Sequence, residues 1–102
     1  MPATHPDIEH YIDAMWMEKG LSDNTLSAYR RDLSQYQQWL ASRNSTILRA
    51  DRADLQSYLG ACLMKGQSQR STARFMSCAR SFYRFLLREG RLQVDPTLDV
   101  DS

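Results

Sequence analysis

The stretch QRSTARFMSCARSFYRFLLREG, Gln69 to Gly90, carries arginine at positions 70, 74, 80, 84 and 88 and no acidic residue until Glu89. Its apolar residues recur at helical spacing: Phe75, Ala79, Phe82, Tyr83 and Leu86 fall within about 100° of one another on a wheel of 3.6 residues per turn. On the same wheel Arg70, Arg74, Ser81, Arg84 and Arg88 gather in an arc of about 80° on the opposite side, with Arg80 at its edge. The pattern predicts a helix with one core face and one cationic face, starting at Ser68 or Ser71 and ended by Gly90.

Outward from this segment the chain repeats the helical pattern. Pro6, Asp7 and Glu9 suit a first turn, and Ile8, Tyr11, Ile12, Met15 and Trp16 follow at helical intervals until Gly20. Ser22 or Asp23 caps a second helix whose Leu26, Tyr29, Leu33, Tyr36, Gln37 and Leu40 form a stripe ending near Ser42. A polar connector, Arg43 to Ala50, leads to Asp51 and Asp54, spaced as a capping box ahead of Leu55, Tyr58, Leu59, Cys62 and Leu63; Gly66 closes that helix. No segment alternates apolar and polar residues as a strand does, so the predicted fold class is all-α, a bundle of four helices within residues 1–92. Val94-Asp95-Pro96-Thr97 breaks any helix, and the polar LDVDS that follows is expected to be disordered, so residues 93–102 read as a linker.

With 102 residues, 42% hydrophobic and 25% charged, the composition is that of one small globular domain. No apolar run approaches the roughly 20 residues of a membrane span, and MPATHPDIEH lacks the layout of a signal peptide, which implies a cytoplasmic protein without a membrane partner. Cys62 and Cys78 show neither CxxC spacing nor a companion histidine, so no metal site or disulfide is expected and both read as small core residues. His5 and His10 read as surface residues. The five tyrosines, Tyr11, Tyr29, Tyr36, Tyr58 and Tyr83, ride apolar stripes and read as core, as do Met15, Trp16 and Met64, with Met17 and Trp39 off the stripes. No cofactor is indicated.

Formal net charge is only +1, but its distribution is uneven: Leu55 through Arg88 contains no acid, only Lys65 and five arginines. Arg70–Arg74, Arg80–Arg84 and Arg84–Arg88 are like-charged pairs at i, i+4, a spacing that disfavours the isolated helix. Compensation must come from an external anion or from acids on the N-terminal helices, and the pattern leaves both open. Arginine in place of lysine suits phosphate or guanine, which its planar fork binds in a bidentate way. Ser22, Asn24, Thr25 and Ser27, followed by Arg30 and Arg31, add small hydrogen-bonding groups at a helix N-terminus, where a phosphate fits. The alternative is that Ser22 and Thr25 only cap the helix.

The segments LSDNTLSAYRRDLSQYQQWL and STARFMSCARSFYRFLLREG, with the later Asp95-Pro96, resemble the N-terminal core-binding domain of tyrosine site-specific recombinases of the Xer type over nearly the whole chain. The resemblance implies an orthogonal SAM-like four-helix bundle. Together with a catalytic domain absent from this chain, that bundle would clamp one recombination half-site, for site-specific recombination and resolution of chromosome dimers. It implies duplex DNA and other recombinase subunits as partners, with the second and fourth helices toward DNA. By motif position Asn24, Thr25 and Ser27 would meet the DNA backbone, and Arg70 and Arg74 the major groove. Ser71 and Cys78 would share that face, and Arg30, Arg31, Arg80, Arg84 and Arg88 would reach phosphates or a neighbouring subunit. The family's catalytic arginines, lysine, histidines and tyrosine nucleophile belong to the other domain, so this chain is not expected to cleave DNA. Because Arg74 lies opposite the core stripe, its replacement by alanine is expected to weaken DNA binding and leave stability unchanged. The rival reading is a protein-interaction bundle whose arginine face docks an acidic partner or a neighbouring subunit; an apolar patch beside the arginines would favour it.

Overall fold

The computed structural model describes residues 4–100, in which the chain forms α1 (Pro6–Lys19), α2 (Asp23–Ser42), α3 (Arg52–Met64) and α4 (Gln69–Arg88), with no strand. The all-α, four-helix expectation is borne out.

Each helix starts on a side-chain cap that satisfies an N–H left without an intrahelical partner, a contribution of about 1 kcal/mol each. Ser22 Oγ accepts from the Thr25 N–H at 3.2 Å, and Ser68 Oγ from the Ser71 N–H at 3.1 Å. Asp51 and Asp54 bond each other's backbone N–H reciprocally, at 2.9 and 3.1 Å. His5, expected on the surface, instead caps α1 through Nδ1, which accepts from the Asp7 N–H at 3.1 Å. The chain leaves α1 through Gly20 at φ 59°, and turns after α2 at Asn44, φ 62°. Both are left-handed conformations that glycine, and less readily asparagine, tolerate.

α4, like α2, packs against all three other helices. It buries Phe75, Met76, Cys78, Ala79, Phe82, Tyr83, Phe85 and Leu86, about half of its circumference, a wider face than the five-residue stripe. Phe75 meets the Tyr36 and Tyr58 rings at centroid distances of 5.4 and 5.1 Å, and Phe82 meets Tyr11 at 5.4 Å, edge to face in each case. The Tyr83 hydroxyl donates to the Ile47 carbonyl at 2.8 Å and lies 3.3 Å from the Tyr36 hydroxyl, pinning the α2–α3 connector to α4.

Three sequence expectations about packing are corrected. Trp16, Leu63 and Met64 are exposed: Trp16 lies at the edge of the α1 stripe, and Leu63 and Met64 close the last turn of α3. Trp39 is half-buried, against Tyr58 at 5.3 Å. The segment after α4 is not loose over its described part: Asp95, Pro96, Thr97 and Val100 are buried, Val100 as part of the core. Asp95 Oδ1 accepts from both the N–H and the hydroxyl of Thr97, at 2.8 and 2.7 Å, folding the turn that carries Val100 back onto the bundle. Asp101 and Ser102 lie outside the described residues. Arg91 adds a bidentate pair with Asp7, at 3.0 and 3.1 Å, which joins this end to α1.

Candidate nucleic-acid interface

The five arginines of α4 have three different environments. Arg74 and Arg88 are held by carboxylates from the N-terminal helices. Arg74 Nε and Nη2 donate to Asp32 of α2 at 2.9 and 3.0 Å, and Arg88 donates to Glu18 of α1 through two bonds of 2.8 Å. Arg80 donates to the Val100 carbonyl at 3.0 Å. Arg70 and Arg84 are exposed and have no carboxylate or carbonyl partner among the described residues. The like-charge run is therefore compensated internally at Arg74 and Arg88 and left open at Arg70 and Arg84.

The compensation differs in kind. Asp32 is buried, and its bond to Arg74 pushes that guanidinium still higher than its ordinary value, so the arginine is charged at any accessible pH. Glu18 and Arg88 are both in solvent; the Arg88 bond draws the Glu18 carboxyl below its ordinary range, but such a pair holds little free energy against water and salt. Arg88 also lies over the Phe85 ring, 5.3 Å from its centroid.

On α2, Arg30 is half-buried and committed to Glu9 through bonds of 2.7 and 3.3 Å. Asn24, Ser27 and Arg31 are exposed and lie within about 60° of one another on the helical wheel, on the side away from the core. Thr25 and Ser71 are half-buried, and each hydroxyl meets that of the capping serine, Ser22 at 3.0 Å and Ser68 at 3.1 Å. Capping thus absorbs both residues. The α2 and α4 starts share one pattern, Ser22-Asp-Asn-Thr25 and Ser68-Gln-Arg-Ser71, which places Asn24 and Arg70 at equivalent positions of the first turn.

Cys78, grouped with the contact residues, is corrected to the core. Its side chain is fully buried with Sγ 3.9 Å from the Tyr29 carbonyl, and burial pushes its thiol well above the ordinary value. The contact assignment rested on motif position alone; the reading of Cys78 as a small core residue from its apolar helical pattern holds. Burial raises the hydroxyls of Tyr11, Tyr29, Tyr36, Tyr58 and Tyr83, in keeping with their places on the apolar stripes. Among the described residues no three His, Cys, Asp or Glu side chains converge as metal ligands would, and no helix is long and apolar enough to cross a membrane.

Sequence reasoning missed Asp32, the acid that organises this face. A signal for it exists: Asp32 stands three residues after Tyr29 and four before Tyr36, inside an otherwise apolar stripe, where a carboxylate needs a cation to be tolerated.

Residues 8–90 match the family described as phage integrase, N-terminal SAM-like domain. The chain is 47% identical over 95% of its length to a protein of Pseudomonas aeruginosa named tyrosine recombinase XerD, and 47% identical over 99% to the protein of that name from Pseudomonas putida. It is 46% identical over 93% of its length to the one from Staphylococcus aureus. It spans about a third of the length of these relatives: 33%, 34% and 32% respectively.

Proposed function

From the premise that this chain belongs to the phage integrase N-terminal SAM-like domain family of the tyrosine recombinases, we propose that it binds duplex DNA as the core-binding part of a Xer-type recombinase. It clamps one recombination half-site while a separate catalytic domain cuts and rejoins the strands. The observation that carries this reading is the pair of exposed arginines, Arg70 and Arg84, left without an acidic partner on a helix that has none of its own before Glu89. Two uncompensated cations on one helix face suit phosphates, and Arg31 with Asn24 and Ser27 extends the same chemistry to α2. Arg30, Arg74 and Arg88 carry their charge largely spent on carboxylates. On this face the nonspecific term therefore rests on the three exposed arginines without a bonding partner among the described residues, Arg31, Arg70 and Arg84, for a slope of log K against log salt of about −2.7. Alone, the chain lacks the effective-concentration gain of a second tethered module, on the order of a hundredfold, so its affinity is modest. In the whole recombinase this clamp would serve site-specific recombination and chromosome dimer resolution.

The test is fluorescence anisotropy of the chain against a Xer recombination half-site and a scrambled duplex over a salt series. Salt-sensitive binding that Arg70→Ala/Arg84→Ala weakens, with a shallower salt slope, supports the reading. Absence of binding at low salt would sink it.

The exposure of the adjacent Trp16 and Met17 on α1, at 61% and 77%, favours a second role in contacts with a neighbouring recombinase subunit. Sedimentation of the chain on a duplex carrying two half-sites, with Trp16→Ser/Met17→Ser as the comparison, separates that contact from DNA binding.

A further inference from the structure

The Arg74 guanidinium has five N–H donors. Asp32 takes two of them, the Nε–H and one Nη2–H, along the side edge of the fork. Three remain, including one on each Nη that together form the end edge, and the side chain as a whole is 41% exposed while Asp32 is 9% exposed. The carboxylate is thus buried beside an exposed arginine that keeps three N–H donors without a partner among the described residues.

This arrangement is poorly suited to a phosphate. The pair is close to neutral as a unit, so it releases few counterions, and its neighbours Arg70 and Arg84 offer uncompensated charge for that purpose. What the pair retains is geometry. Two bonds to a carboxylate fixed in the α2–α4 interface remove most of the rotamer freedom that a long side chain would otherwise lose on binding. A rigid end edge with two parallel N–H groups matches the O6 and N7 acceptors that guanine presents in the major groove.

Building on the duplex-binding reading above, we propose that Asp32 is a positioning residue that aims the end edge of Arg74 at one guanine of the DNA site. The Asp32–Arg74 pair then supplies sequence discrimination, and Arg70, Arg84 and Arg31 supply affinity. Asp32 itself touches no DNA. Its removal has an unusual signature: Arg74 gains mobility and net charge together, so binding to unrelated DNA holds or strengthens while discrimination falls.

The experiment selects duplexes from a random-sequence pool with the 102-residue chain, and then measures the selected duplex with each of its guanines replaced in turn by 7-deazaguanine, which lacks the N7 acceptor. The parent chain is expected to lose roughly tenfold in affinity at one guanine, the scale of a bidentate base contact. In Asp32→Asn that penalty disappears, binding to unselected duplex is undiminished, and the salt slope steepens by up to about 0.9. Asp32→Leu/Arg74→Leu removes the fork without stranding a carboxylate; it is expected to fold, to bind and to show no 7-deazaguanine penalty, which covers the case of an unstable Asp32→Asn. Retention of the full penalty in either folded variant, or selection of a duplex in which no guanine matters, overturns the proposal while leaving duplex binding intact. A parent chain that binds no duplex at all overturns the proposed function and this inference with it.

Discussion

Asp32 and Arg74, 42 residues apart in sequence, meet through two parallel hydrogen bonds of 2.9 and 3.0 Å, with the carboxylate inside the bundle and the guanidinium at its surface. One side chain of the cationic face is therefore part of what holds α2 against α4. Local sequence assigns Arg74 to solvent; tertiary packing makes it structural as well.

Arg74→Ala is accordingly expected to destabilise the domain, against the expectation from the helix wheel alone. Truncation strands a buried carboxylate, at a cost of about 1–3 kcal/mol. For a domain of this size that lowers the thermal midpoint by roughly 4–8 °C per kcal/mol, readable by circular dichroism. Asp32→Leu/Arg74→Leu removes both charges and should recover part of the loss. A midpoint for Arg74→Ala equal to the parent's would show that the pair holds nothing together.

Arg70→Ala/Arg84→Ala should behave in the opposite way. Neither residue has a partner among the described residues, so the melting curve should be superimposable on the parent's while the salt slope for duplex binding becomes shallower by about 1.8. A double variant that melts early would place these arginines in contacts that the folded domain needs.

The helices were legible in the sequence because their signals are local. The Asp51–Asp54 capping box, the Ser22 and Ser68 caps and the stripes of Tyr11, Leu33, Tyr36 and Phe82 each depend on residues within a few positions, and each is where spacing puts it. The candidate site was legible only in outline. A wheel separates the cationic side of α4 from its core, but cannot tell that Glu18 reaches Arg88, that Asp32 reaches Arg74, or that Arg80 binds the Val100 carbonyl, since these partners come from 70, 42 and 20 residues away. The folded tail was missed because α4 is covered on several sides: its buried face is wider than any single stripe, and the apolar Val100 finds a place in the core.

Tyr83→Phe tests the pin between α4 and the α2–α3 connector. The hydroxyl is fully buried and donates to the Ile47 carbonyl at 2.8 Å; its loss leaves that carbonyl without the donor and the Tyr36 hydroxyl without its neighbour. A destabilisation of about 1–3 kcal/mol is expected by urea denaturation, with the denaturant slope unchanged. Tyr29→Phe, at a half-buried position, is the comparison and should cost less.

Stability should also fall on the alkaline side, and the direction follows from burial. Burial pushes the Cys78 thiol up from an ordinary value of 9.0, and the tyrosine hydroxyls up from 10.0, Tyr36 to about 12. The unfolded chain releases these protons near the ordinary values while the folded chain keeps them. Above pH about 9 the unfolded state thus binds fewer protons than the native one, so its free energy drops relative to the fold as pH rises, whereas below that range the two states hold the same protons and the full stability is present. Urea midpoints should be level from neutral pH to about 9 and then decline, and Cys78→Ala should remove the earliest part of the decline. The same burial withholds the Cys78 thiolate from reagents, so its alkylation in the native state should proceed no faster than the domain opens. Alkylation of Cys78 at the rate of a free thiol would mean that the α2–α4 seam, and with it the seat of Asp32 and Arg74, is open in solution.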